Sequence, residues 1–257
     1  MSKGTRYKVN KKSLVIKKKI SFILFLFFIV LFIVSGIKII NYFKDARSNE
    51  KIFDEISKDI IFKEDTTNSN DTKYLIDFAS LKKKNFDTVG FIKVNGTDIE
   101  HVVVRGKDNS YYLTHNFEKN YNIAGWIFVD YHNKLDGSDK NIIIYGHNMR
   151  NNTMFGTLKN ILTDDWKKNE ENKNITFVTE KGQATYEVFS VYQIEEEDYY
   201  LKTSFSDGEF KKYVDNMKAR SEIDFNVNVT EEDSILTLST CANNNKYRVI
   251  LHAKKIK

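Results

Sequence analysis

The single cysteine of this chain, Cys241, stands where a reactive thiol would be useful. It follows the apolar run Ile235–Thr240, which is long enough for a β-strand, and it precedes a polar loop of five residues. The next apolar stretch carries Arg248 near its start. A guanidinium beside a thiol lowers the thiol pKa and can stabilise an oxyanion that forms there. Cys241 and Arg248 are therefore a candidate nucleophile and its charge-stabilising partner.

A nucleophilic thiol also needs a proton carrier, because the amine that leaves has to be protonated. Of the five histidines, His147 is the best placed, since it follows the apolar strand Ile142–Ile144 on a turn that contains Gly146. A side chain at the end of a strand can reach a cleft. The other four histidines are interpreted as structural, and they are His101, His115, His132 and His252.

A lone cysteine is more often a buried apolar residue than a nucleophile. Without a second cysteine, Cys241 cannot form a disulfide within the chain. Its position at the end of a strand, together with the placement of His147 and Arg248, favours a thiol kept for its reactivity.

The first 40 residues have the pattern of a membrane anchor. Residues 1–19 carry eight basic groups and no acidic one, and Ile20–Ile37 is a run of 18 uncharged residues. About 20 apolar residues cross a bilayer core of about 30 Å, and flanking lysines stay in the cytoplasm. We expect a cytoplasmic tail over 1–19, a single transmembrane helix over 20–40 and an exported remainder. The alternative, a cleaved signal peptide, would have a shorter apolar region.

The charge of the exported part argues against nucleic-acid binding. The whole chain has a net charge of +5, but outside the tail 32 basic groups face 35 acidic ones. A nucleic-acid-binding domain needs a basic patch of its own. We therefore expect no nucleic-acid partner.

The rest of the chain divides by periodicity into a helical part and a strand-rich part. Residues 41–84 are predicted to form an amphipathic helix over 41–65 and a short helix with Tyr74, Leu75, Phe78 and Leu81 on one face. Residues 85–257 contain many short predicted strands, typical of a β-barrel or sandwich with added helices. The predicted strands are Val89–Val94, Ile99–Arg105, Ala124–Asp130, Asn141–Tyr145, Asn174–Thr179, Thr185–Ile194, Ser234–Thr240 and Tyr247–Ala253, and the predicted helices are Phe155–Ile161, Asp164–Asn172 and Asp207–Arg220.

Two segments of this strand-rich part resemble the signatures of a known family. Thr237–Cys241 (TLSTC) resembles the TLxTC motif of sortases, and Arg248 matches the arginine of the strand that follows it. Tyr145–Met149 (YGHNM), leading to Met154–Gly156 (MFG), is similar to the catalytic-histidine loop of class B sortases. Gly125–Tyr131 and Tyr111–Phe117 also resemble segments of class B sortases. The resemblance therefore extends over residues 85–257.

The resemblance implies a mainly β fold and a transpeptidase. The expected fold is an eight-stranded sortase barrel with N-terminal helices and an extra helix before the cysteine strand, preceded by one transmembrane helix. The implied reaction cuts the C-terminal sorting motif of a surface protein, similar to NPxT or SPxT, after its threonine. The acyl group passes through a thioacyl intermediate to an amine of peptidoglycan or of its lipid-linked precursor. The implied location is the cell membrane of a Gram-positive bacterium.

The resemblance also implies roles for individual residues. Cys241 would attack the threonine carbonyl, His147 would protonate the leaving amine, and Arg248 with the backbone N–H of Ala242 would hold the oxyanion. The positions that match the substrate groove of class B members are Asn109, Leu113, Tyr145 and Ser239. No cofactor and no metal are expected. The loop Ala242–Lys246 has no carboxylate, unlike some relatives, and this places an auxiliary acid there in doubt.

Two other functions remain open from the sequence. One is a catalytically inactive sortase-like scaffold that binds surface proteins, against which the intact cysteine, histidine and arginine argue. The other is a cysteine peptidase that only hydrolyses. Papain-like peptidases place their cysteine at the start of a helix, whereas Cys241 is predicted to end a strand.

Overall fold

A computed structural model describes residues 11–64, 72–195, 197–241 and 247–257. The chain forms two compact units, one ending at Lys44 and the other extending from Asp45 to Lys257. Helix α1 (Lys11–Ile56) contains the apolar run near the N-terminus. A window of this helix has a mean hydropathy of 3.0 over 18 residues, none of them buried. The chain therefore has one N-terminal apolar helix of the length and composition of a membrane anchor.

The predicted helix over 41–65 is too long, because α1 ends at Ile56 and is followed by a 3₁₀ turn (Ser57–Asp59) and then a strand. Strand β1 (Ile60–Glu64) pairs antiparallel with β2 (Thr72–Ile76) in a separate two-stranded sheet. Consecutive Ile60 and Ile61 favour extended backbone because they are β-branched. The polar stretch at 66–71, which the sequence predicts to end the helix, lies outside the described residues.

The second predicted N-terminal helix is also shorter than expected. Helix α2 spans only Phe78–Lys84, and the Asp77 side chain caps it by accepting a hydrogen bond from the backbone N–H of Ser80. Tyr74 lies on β2 instead, and its ring packs 5.1 Å from that of Phe91. The spacing of Tyr74, Leu75 and Phe78 fits one helical face, but Tyr74 and Leu75 pair with residues of β1 in the two-stranded sheet.

The strand-rich part closes into the expected eight-stranded barrel. Its strands follow one another around the barrel in the order β10-β8-β7-β3-β4-β5-β6-β9. The bounds are β3 Thr88–Val94, β4 Glu100–Val104, β5 Phe128–Val129, β6 Asn141–His147, β7 Asn174–Thr179, β8 Gly182–Glu195, β9 Ile235–Cys241 and β10 Tyr247–Lys255.

Most neighbouring strands are antiparallel, but two pairs are parallel. Strand β4 runs parallel to β5, and β6 runs parallel to β9. The second pair joins segments that are far apart in the sequence, and the chain between them forms β7, β8 and the later helices. Parallel strands need a long crossover connection, and such a connection can place segments that are far apart in the sequence side by side.

Helices lie in several of the connections between the strands. The predicted helix at 155–161 is a 3₁₀ helix over Leu158–Leu162, and the one at 164–172 divides into α3 (Asp164–Lys168) and a 3₁₀ turn. Helix α4 (Glu209–Arg220) is the helix expected before the cysteine strand. It buries four side chains at helical spacing, namely Phe210, Tyr213, Val214 and Met217.

Candidate active site

Three adjacent strands bring the predicted chemical residues into one row. In the parallel register of β6 and β9, His147 pairs with Cys241, the last residue of β9. In the antiparallel register of β9 and β10, Cys241 pairs with Arg248. Neighbouring strands lie about 4.7–4.9 Å apart, so Cys241 lies between the histidine and the arginine. The His147 and Arg248 side chains are both half-buried.

The chain around His147 fixes the histidine in place. Gly146 is packed against the ring of Phe155, where a Cβ would be only 2.6 Å from a ring carbon. The backbone N–H of Phe155 donates to the His147 carbonyl at 3.0 Å, which closes the loop after β6. Glycine before the histidine therefore allows the loop to fold back over the strand end.

The His147 ring has a defined hydrogen-bond partner. Its Nε2 lies 2.8 Å from the backbone carbonyl oxygen of Leu113. A carbonyl oxygen only accepts hydrogen bonds, so Nε2 carries the hydrogen and donates it. In neutral His147 the proton-accepting nitrogen is then Nδ1. Leu113, predicted to line the groove, thus contacts the histidine through its main chain.

The end of helix α1 supports the loop that carries Leu113. Asn49 is 1% exposed and donates from Nδ2 to the carbonyl oxygen of Gly125 at 2.9 Å. Its Oδ1 accepts a hydrogen bond from Asn122, which also donates to the Asp45 carbonyl. Gly125 has a positive φ of 57°, and a Cβ there would be 2.9 Å from the Leu113 carbonyl oxygen. The left-handed backbone at Gly125 departs from strand geometry, and the predicted strand at 124–130 pairs only over β5.

The predicted groove residues Asn109 and Tyr145 meet at a residue that sequence reasoning did not select. Asn109 Nδ2 and the Tyr145 hydroxyl both donate to one carboxylate oxygen of Asp130, at 2.7 and 2.8 Å. Asp130 is 4% exposed. The only sequence signal was a carboxylate at the end of an apolar predicted strand. Burial and, to a smaller extent, the negative charge of the Asp130 carboxylate raise the pKa of Tyr145, so that the phenol stays protonated.

Ser239 is buried rather than open to the groove. Its hydroxyl lies 2.8 Å from that of Tyr200, and only 2% of the residue is exposed. Tyr200 belongs to the segment between β8 and α4, and its carbonyl oxygen accepts a hydrogen bond from Tyr213 on that helix. Tyr200 is a second residue that sequence reasoning missed. Ala242, predicted to supply an oxyanion N–H, lies outside the described residues.

Two of the other histidines are buried away from this row. Burial lowers the pKa of His252 to about 3, and its two ring nitrogens lie 2.8 and 2.9 Å from the hydroxyls of Thr237 and Tyr192. Burial and, to a smaller extent, the positive charge of nearby Lys93 lower the pKa of His101 to about 4. Both side chains therefore stay neutral near pH 7, as packed structural groups do.

The remaining two histidines make local contacts. His115 stacks on Tyr111 with the ring centroids 4.0 Å apart, and His132 Nδ1 lies 2.7 Å from an Asp130 oxygen. Within the part of the chain that the structure describes, no group of three His, Cys, Asp or Glu residues could hold a metal ion.

Comparison with known proteins gives this site its class. A model of the sortase domain matches residues 92–256. The chain is 35% identical over 231 residues to a sortase B of Listeria monocytogenes, a match that covers 88% of this chain and 92% of the relative. A substrate complex of Staphylococcus aureus sortase B and a structure of sortase B with a triglycine peptide have TM-scores of 0.65 and 0.66. Each of these structures is 38% identical in sequence to this chain. The matches cover 70% of this chain, and 84% and 85% of the two sortase B chains, respectively.

The chain therefore belongs to the sortase family of transpeptidases. Within that family it is a class B sortase, because the relatives that share its sequence and its fold are sortases B. The eight-stranded barrel with helices and one N-terminal apolar helix confirms the fold that the TLSTC and YGHNM segments predicted.

Proposed function

We propose that this sortase cuts surface proteins after the threonine of an NPxT- or SPxT-like sorting motif and transfers them to a cell-wall amine. Cys241, His147 and Arg248 carry out the chemistry. The observation that supports these roles is the row of three residues across β6, β9 and β10. The predicted groove residues Asn109, Leu113 and Tyr145 would hold the peptide, directly or through their neighbours. The buried Ser239 would act only through its contact with Tyr200.

In the first half of the reaction, the Cys241 thiol gives its proton to Nδ1 of His147, and the resulting thiolate attacks the threonine carbonyl carbon and forms a tetrahedral oxyanion. Arg248 stabilises the new negative charge, which is absent from the bound substrate. The oxyanion then collapses, the C–N bond breaks, and the departing amine takes a proton from His147. The product is a thioester between Cys241 and the threonine.

In the second half, an acceptor amine attacks the thioester carbon and loses a proton to His147. The C–S bond breaks, Cys241 is restored as thiolate, and a new amide joins the surface protein to the acceptor. Because Nε2 of His147 donates to the Leu113 carbonyl, Nδ1 is the nitrogen that exchanges this proton in both halves. Sortases B have been crystallised with a substrate and with a triglycine peptide, which supports a peptide donor and an amine acceptor here.

Product analysis tests this function. Residues 41–257 are incubated with a library of xPxTx peptides, with and without an amine acceptor, and the products are identified by mass spectrometry. We expect cleavage after threonine in both samples and a new amide only where the amine is present. Cleavage with no transfer to any amine tested would favour the hydrolytic peptidase, and binding with no cleavage would favour the inactive scaffold.

The same proposal places the N-terminus in the cytoplasm and residues 41–257 outside. The eight basic groups of residues 1–19 support this orientation through the positive-inside rule. A protease added to intact, wall-stripped cells is expected to digest the exported part, while the apolar helix stays with the membrane fraction. Protection of that part, or a secreted form that begins near Lys38, would contradict the anchor.

A further inference from the structure

Asp130 is a buried carboxylate with four hydrogen-bonding groups around it. One oxygen accepts from Asn109 Nδ2 and from the Tyr145 hydroxyl, at 2.7 and 2.8 Å. The other oxygen lies 2.9 Å from the backbone nitrogen of His132 and 2.7 Å from the Nδ1 atom of that residue. A buried carboxylate is tolerated when donors of this kind replace the water that it has lost.

These contacts fix the direction in which the Asn109 amide points. Its Nδ2 faces Asp130, while its Oδ1 accepts a hydrogen bond from the backbone N–H of Tyr131 at 3.0 Å. Rotating the amide by half a turn would set an oxygen against the carboxylate and an NH₂ group against the N–H. Asn109 therefore keeps one orientation, and its second Nδ2 hydrogen remains able to donate.

The contact with Tyr145 has the opposite effect on hydrogen-bonding capacity. Because the phenol donates its only hydrogen to Asp130, the oxygen of Tyr145 can offer further partners only its lone pairs. Asn109 and Tyr145 thus form a donor and an acceptor side by side, since both are held on the same carboxylate oxygen. A peptide or side-chain amide has the complementary pair, a carbonyl that accepts and an N–H that donates.

We propose that Asp130 is a positioning residue of the substrate groove, which sets Asn109 as donor and Tyr145 as acceptor for an amide group of the sorting peptide. The inference rests on the proposed function and adds a residue to it. Asp130 does not touch the reacting atoms in this scheme. It acts through the two side chains that it orients.

The test compares Asp130→Asn with a control of the same chemistry, Asp139→Asn. Donors face both oxygens of the Asp130 carboxylate. Whichever way the side-chain amide of the variant turns, its NH₂ group therefore faces donors on one of these two sides. Asp139 belongs to the same loop, but its carboxylate accepts from the backbone N–H groups of Lys134 and Leu135. For a cleaved peptide we expect Asp130→Asn to raise KM about tenfold with kcat within about twofold, as for loss of a hydrogen bond to a charged group.

Further measurements separate positioning from a general loss of structure. Alkylation of Cys241 by iodoacetamide should keep its rate in Asp130→Asn, and Asp139→Asn should leave KM unchanged whatever its melting temperature. Tyr145→Phe should also raise KM, and the double variant should be little worse than Asp130→Asn alone, because the two residues act as one unit. Additive effects, or a KM within about twofold of wild type in Asp130→Asn, would overturn the proposal.

A second variant tests the same contact if Asp130→Asn does not fold. Asn109→Asp keeps the size of a half-buried side chain and sets one carboxylate against another, so KM is expected to rise at least about tenfold. An unchanged KM would overturn the role of Asp130. The outcome is distinct from failure of the proposed function, which would appear as turnover in Cys241→Ala with normal peptide binding.

Discussion

Cys241→Ala is expected to abolish turnover of a sorting peptide. Without the sulfur no thioester can form, and the remaining groups can bind the peptide but cannot accept the acyl chain. The measurement is peptide cleavage followed by mass spectrometry, with the melting temperature of the variant as a control for folding. Retention of more than a few per cent of wild-type turnover would contradict the covalent mechanism.

The same thiol should be the single site of labelling by a thiol-directed reagent, since the chain has one cysteine. The rate of labelling should rise with pH until the thiol is ionised, because the thiolate is the reacting species. The pH of half-maximal rate then reports the thiol pKa directly. Repeating the titration in Arg248→Ala shows how far the guanidinium lowers that pKa, and a rate independent of pH would contradict a titrating thiol.

Arg248→Ala is expected to lower kcat by about 10²–10³, or roughly 3–4 kcal/mol, as for removal of a single oxyanion donor. Arg248 lies opposite Cys241 in the register of β9 and β10, where it would meet charge that develops only during the reaction. KM should therefore change much less than kcat. Both constants are measured on a cleaved peptide, together with the melting temperature.

Two further variants make this result specific. Arg248→Lys should recover only part of the loss, because an ammonium on a flexible stem does not reproduce the planar fork of a guanidinium. Arg150→Ala removes an equal charge from an exposed residue of the loop after β6 and should leave kcat nearly unchanged. An Arg248→Ala variant that melts normally and turns over within about threefold of wild type would make Arg248 a structural residue.

Local patterns predicted the barrel strands well because alternation of apolar and polar residues is a local signal. They failed where two patterns overlap. Ile60–Glu64 continues the helical spacing of α1, yet it pairs with Thr72–Ile76, and pairing partners cannot be identified from one segment. Likewise, the predicted strand at 124–130 is shortened where Gly125 adopts a positive φ, a conformation that the alternation of residues does not reveal.

The candidate site residues could be selected from the sequence, but the contacts that hold them in place could not. Residue types and strand ends were enough to select Cys241, His147 and Arg248 as candidates. The alignment of β6 beside β9, by contrast, depends on closure of the whole barrel. Asp130 and Tyr200 were not selected from the sequence, because their hydrogen bonds to Tyr145 and Ser239 join segments that are far apart along the chain.

The parallel pairing of β6 and β9 also has a consequence for folding. The chain between His147 and Cys241 contains β7, β8 and α4, so the contact between the two residues has a large sequence separation. Contacts of this kind form slowly, because the entropy of closing a long loop has to be overcome before they contribute. A partly folded chain would hold the thiol without its histidine. Turnover is therefore a stricter report of complete folding than the content of helix and strand.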